Sequence, residues 1–140
     1  MKEYKASITI QAPPEKIWAI LIDGASWPRW DPSCDRLEGR IAPGETLKAF
    51  TKLSPGRAFP VKVTEWLPAQ RMTWTGGMPL GLFKGVRTFT LTPRGPEVEF
   101  TLHEVFSGPL LALLGGSIPD MSGAFQDFVA GLKARAERAD

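Results

Sequence analysis

Tyr4, Ala6, Ile8 and Ile10 alternate with Lys5, Ser7, Thr9 and Gln11, the two-residue period of a strand buried on one face. The period then changes. Pro13 and Pro14 precede a segment in which Ile17, Ile20 and Leu21 share one helical face, which predicts a short helix to about Ile22. Asp23-Gly24 ends it, and the prolines at 28 and 32 restrict the next segment to a helical turn and a loop. From there β-compatible segments recur at about Cys34 to Ile41, Glu45 to Leu53, Phe59 to Leu67, Arg71 to Thr75, Gly85 to Pro93 and Glu97 to Phe106. Turn residues separate them at Pro43-Gly44, Ser54-Pro55-Gly56, Pro68-Ala69, Gly76-Gly77 and Arg94-Gly95-Pro96. None of these connections is long enough for a crossover helix, so the strands should pair as hairpins in an antiparallel sheet. Pro109 to Leu114 reads as a separate turn or short helix. Met121, Phe125, Phe128, Val129, Leu132 and Ala136 then recur at helical spacing to the end of the chain.

The predicted order is one strand, two short helices, six strands and one long helix, an α+β fold in a single domain over residues 1–140. A seven-stranded sheet has far more inner face than one helical stripe can cover. The expectation is a curved sheet around the C-terminal helix, with a gap between the layers that forms an apolar pocket.

Composition narrows the functional classes. A chain of 140 residues with 43% hydrophobic and 23% charged residues buries an ordinary core without metals or disulfides. The 17 basic and 15 acidic residues are dispersed, with no basic run that would track a phosphate backbone, so nucleic acid is not expected as a partner. Lys133, Arg135, Glu137 and Arg138 read as the solvated face of a last helical turn. Cys34 stands alone and there is no Asn, which excludes an intrachain disulfide and N-glycosylation and favours the cytoplasm. No apolar h-region follows Met1, and the apolar stretch near Pro109 to Leu114 is too short to span a bilayer, so stable membrane insertion is not expected. One His and one Cys do not make a usual zinc site, and neither a nucleophile elbow nor a phosphate loop is present, so no metal or cofactor is expected. Cys34 lacks a basic activator and is read as an inert thiol.

On the last strand Val98, Phe100, Leu102 and Phe106 share the inward parity, and Glu104 falls among them. On the strand before it Arg87 shares the parity of Phe89 and Leu91. A turn at Arg94-Gly95-Pro96 sets Arg87 opposite Leu102 or Glu104, predicting an inward ion pair. That pair is either a polar anchor for a ligand or a salt bridge that never meets one. His103 has the opposite parity and is expected on the outer face. Trp30, Phe50, Trp66, Trp74 and Met78, with Phe83, Phe89, Phe106, Phe125 and Phe128, supply more aromatic and soft apolar surface than one helix stripe needs. They are expected to line the pocket, with the glycine-rich 76–83 segment as a rim.

Four stretches resemble the START-like, or SRPBCC, superfamily with its helix-grip fold, and within it polyketide cyclase/dehydrase-like bacterial proteins. They are Ile10-Gln11-Ala12-Pro13-Pro14-Glu15-Lys16-Ile17-Trp18 with Leu21 and Asp23; Trp27-Pro28-Arg29-Trp30-Asp31-Pro32; Val61-Lys62-Val63 through Pro68 to Trp74; and Phe100 through Gly108. With the helix ending Leu132-Lys133 they cover essentially the whole chain. The resemblance implies a cavity and leaves its use open between three readings. The first is a carrier or sensor of a small hydrophobic molecule such as a lipid, isoprenoid or aromatic metabolite, acting as a monomer or weak homodimer. The second is a cyclase, aromatase or dehydratase with Glu104 as candidate catalytic residue. The third is a co-chaperone-type interaction module. A carboxylate paired with an arginine is held charged and makes a weak base, so the pair suits ligand orientation better than proton transfer.

Overall fold

The computed structural model describes residues 2–77, 79–114 and 120–138. Seven strands form one antiparallel sheet: β1 (Lys2–Ile10), β2 (Cys34–Glu38), β3 (Thr46–Thr51), β4 (Ala58–Leu67), β5 (Arg71–Gly77), β6 (Lys84–Arg94) and β7 (Glu97–Ser107). Their spatial order is β1-β7-β6-β5-β4-β3-β2, so every connection from β2 to β7 is a hairpin and β1 adds to the far side of β7. The sheet curls as a half-barrel. Helices α1 (Pro14–Leu21) and α2 (Trp27–Trp30) lie between β1 and β2, α3 (Leu111–Leu114) follows β7, and α4 (Ser122–Ala136) runs inside the curl. This is the expected α+β helix-grip architecture.

The differences are local. Expected at Ile41, the end of β2 comes at Glu38, because Gly39 takes φ +110°, and the strand is bulged between Cys34 and Arg36. Gly76-Gly77, read as a turn, instead continues β5. Gly76 lets the Pro60 carbonyl approach so closely that a Cβ there would lie 2.8 Å from its oxygen. In β4 the register slips by one after Val63. The slip turns Glu65 outward, where it accepts hydrogen bonds from Arg71 (2.9 Å) and Thr73 (2.8 Å), and returns Trp66 to the inner face opposite Met72. The outer face is polar, with Thr64 hydrogen-bonded to Thr75 and Ser7 to Thr101.

Helix α4 buries Phe125, Phe128, Val129, Leu132 and Ala136 against the sheet and the two short helices. Its last turn is more than a solvated face. Lys133 donates to the Thr9 carbonyl at 2.7 Å and pairs with Glu137, whose carboxylate accepts the Gln11 N–H at 2.8 Å. These bonds fasten the helix to the end of β1. Closer to its middle, α4 crosses α2 with backbone nearly touching backbone, since a Cβ on Gly131 would collide with the Trp30 carbonyl.

Helix propensity alone makes Gly131→Ala stabilising by about 0.5–1 kcal/mol. The crossing reverses the sign. The added methyl must push α4 off α2, with a net loss of roughly 1–3 kcal/mol, which urea denaturation measures directly. A gain in stability would mean that the two helices are not in backbone contact.

Candidate functional site

Helix α4 covers only part of the inner face. Its C-terminal half packs down on β1 and α1, and its N-terminal half roofs a cavity of about 440 Å³ over β3 to β7. The exposed Leu53 and Arg57 of the β3–β4 hairpin mark the rim, and the buried Trp27, Asp31 and Cys34 form the inner wall.

Of the residues expected to line a pocket, Phe50, Trp74, Phe83, Arg87, Glu104, Phe106, Phe125 and Phe128 all border this space. Three others do not. Trp30 turns back on its own turn, its Nε1 donating to Ser26 Oγ at 3.2 Å and its ring against Phe128. Phe89 has the inward parity, but at its height the inner face is already filled by Trp27, Trp74 and Phe128, and it is fully buried. Trp66 packs edge-on against Trp18 of α1. Met78 lies outside the described residues.

Register places Arg87 directly opposite Glu104. Arg87 Nη2 donates to Glu104 Oε1 at 2.9 Å, and the guanidinium lies 5.2 Å over the Phe125 ring. The side chains keep 22% and 13% of their surface exposed, so the pair is neither bulk-solvated nor sealed. His103 sits on the other face of β7 and pairs with Glu3 on β1, away from the cavity.

Trp27, Asp31 and Cys34 are among the cavity residues that escaped prediction as wall. Trp27 lies one helical turn before Trp30 and stacks on Trp74 at 5.2 Å, a relation between distant segments that periodicity does not carry. Asp31 is only 4% exposed. Ser33 N–H and Ser33 Oγ–H both donate to its Oδ1, at 3.1 and 2.9 Å, and among the described residues Oδ2 has no hydrogen-bond partner. Burial pushes the Asp31 carboxyl above its ordinary range, and the Ser33 hydrogen bonds and the Arg87 charge oppose that shift without cancelling it. Cys34 is buried beside it. Burial, with the nearby Asp31 and Asp35 charges, pushes its thiol up to about 11, which keeps it protonated and unreactive near neutral pH. Trp74 Nε1 is buried and unpartnered among the described residues.

A curled antiparallel sheet gripping a C-terminal helix over an apolar cavity defines the helix-grip class. Within that class, the chain belongs to the family described as "Polyketide cyclase / dehydrase and lipid transport", whose pattern matches residues 1–137. Solved structures share the fold at low identity. A hypothetical protein from Helicobacter pylori superposes with a TM-score of 0.77 at 16% identity, over 97% of this chain and 88% of that one. The Aha1 dimer from Colwellia psychrerythraea gives 0.72 at 21% identity, over 98% and 97%. A START superfamily protein from Mycobacterium smegmatis gives 0.65 at 17%, over 96% and 97%. No curated protein matches the chain.

Two consequences are measurable. For the ion pair, a double-mutant cycle of Arg87→Met, Glu104→Gln and the double variant should return a coupling of about 1–3 kcal/mol, between the exposed and sealed limits. Coupling near zero would reduce the pair to two independent surface charges. For Asp31, an acid whose folded-state pKa is raised loses its proton first in the unfolded chain. The folded state therefore loses stability as pH climbs from the ordinary carboxylate range through the raised value. Asp31→Asn is expected to melt above the parent at pH 7 and to lose that advantage as pH falls to about 4. An advantage that grew on acidification would refute the assignment.

Proposed function

We propose that the chain binds a small, largely hydrophobic molecule in the cavity between α4 and the sheet, as a carrier or sensor. The observation that carries this reading is a space of about 440 Å³ with aromatic walls and a few charged groups, the composition of a small-molecule site. The Arg87–Glu104 pair is its polar anchor: the guanidinium retains N–H groups beyond the one given to Glu104, and these suit a carbonyl or hydroxyl oxygen. The family description, which names lipid transport beside cyclase and dehydrase activity, supports the same class. We take the working unit to be a cytoplasmic monomer or weak homodimer. No described helix is long and apolar enough to cross a membrane.

A cyclase- or dehydratase-like reaction is the second reading. Two carboxylates, Glu104 and Asp31, border one cavity, and an enzyme of this kind needs an acid/base inside the pocket. Turnover lost in a Glu104→Gln variant that still binds ligand would favour it over carriage.

Trp27 and Trp74 border the cavity, whereas Trp18, Trp30 and Trp66 do not. Titration with pyrene should therefore quench part of the tryptophan emission saturably. Ala49→Phe, which sets a ring into the cavity, should weaken that binding at least tenfold while the protein remains folded. Saturable quenching unaffected by Ala49→Phe would locate the probe elsewhere, and no binding at all would remove the ligand-binding reading.

A further inference from the structure

Among the described residues four charged side chains border the cavity: Asp31, Arg57, Arg87 and Glu104. Arg57 is exposed at the rim, so the inner wall carries two carboxylates against one guanidinium. The two carboxylates are not equivalent. Glu104 is engaged by Arg87 at 2.9 Å. Asp31 receives both of its hydrogen bonds on Oδ1, from neighbouring Ser33, and these fix the carboxylate plane while Oδ2 accepts none among the described residues. Asp31 as a whole keeps only 4% of its surface, yet Oδ2 is not a sealed atom, since the buried unpartnered side-chain atom among the described residues is Trp74 Nε1. Because Asp31 borders the cavity, a molecule bound there can supply this oxygen with a donor.

We propose that Asp31 is the acceptor for a ligand hydroxyl, so that the cavity selects a neutral, mostly apolar alcohol or phenol over a fatty acid or other carboxylate. The inference rests on the ligand-binding reading above and sharpens its ligand class. A hydroxyl satisfies Oδ2 by donating, which an ether or a hydrocarbon does not do. A carboxylate ligand brings a third negative charge to a wall with a single inner positive one, and an ammonium must be stripped of water to enter an apolar space. Trp27, Trp74, Phe125 and Phe128 border the same cavity, and aromatic surface of this kind suits a flat ring system behind the hydroxyl.

Matched probes separate these contributions. Dissociation constants for β-naphthol, its methyl ether and β-naphthoate are measured at pH 7 by tryptophan quenching, on the parent protein and on Asp31→Asn. A hydrogen bond to a charged acceptor should favour the naphthol over the ether by about tenfold or more in the parent. In Asp31→Asn that preference should fall to about threefold or less, with the affinity for the ether unchanged. The naphthoate should bind the parent most weakly and gain affinity in the variant as one negative charge is removed. An equal affinity for naphthol and ether in the parent, or a preference that survives in Asp31→Asn, would overturn the role of Asp31 while leaving the cavity as a binding site. If none of the three compounds nor pyrene binds, the ligand-binding reading fails and the hydroxyl site with it.

Discussion

Trp27 is the contact on which the rest of the structure depends. Its ring stacks on Trp74 of β5 at 5.2 Å and meets Trp30 of its own turn, Phe89 of β6 and Phe128 of α4 within 6.1 Å. Its Nε1 donates to the Leu21 carbonyl at the end of α1 at 3.0 Å. One side chain therefore joins both short helices, the long helix and the middle of the sheet. Aromatic pairs of this geometry each add about 0.5–1.5 kcal/mol beyond the area they bury. The same ring divides the interior, with solid core toward Phe89 and Phe100 and open cavity toward Phe125 and Phe106.

The position of α4 is set by two constraints, one at its end and one near its middle. Lys133 and Glu137 fasten its last turn to Thr9 and Gln11, and the glycine at 131 allows it to touch the backbone of α2. Held there, the helix packs closely along its second half. Its first half stands over a sheet that curls away, and the distance that opens between them is the cavity. A sheet of seven strands around one fifteen-residue helix cannot be filled by side chains from that helix alone.

Within that space polarity is unevenly distributed. Arg87 and Glu104 neutralise each other across adjacent strands, so their mutual attraction offsets part of the cost of leaving water. Asp31 has only the hydroxyl and amide of Ser33, and burial holds its carboxyl above the ordinary range. The Cys34 thiol beside it is protonated and contributes bulk rather than reactivity. A few fixed polar groups among aromatic walls are the composition of small-molecule sites in general.

The alternation in β1 and β7, the helical spacing of Phe125, Phe128, Val129 and Leu132, and the turn at Arg94-Gly95-Pro96 determine element order, strand pairing and the meeting of Arg87 with Glu104. These are local periods, set by how a backbone of fixed repeat presents side chains to one side. Tertiary structure alone decided where the inner face is filled and where it stays open. Phe89 and Phe106 have the same inward parity, yet one is sealed under Trp27 and the other borders the cavity, because only the placement of α4 distinguishes them. The slip in β4 that returns Trp66 inward and sends Glu65 out to Arg71 leaves no mark in composition. Asp31 is the clearest instance. In the chain it is a carboxylate before a proline; in the fold, helices and strands distant in sequence exclude water from it, and burial by such segments is not a property of any local pattern.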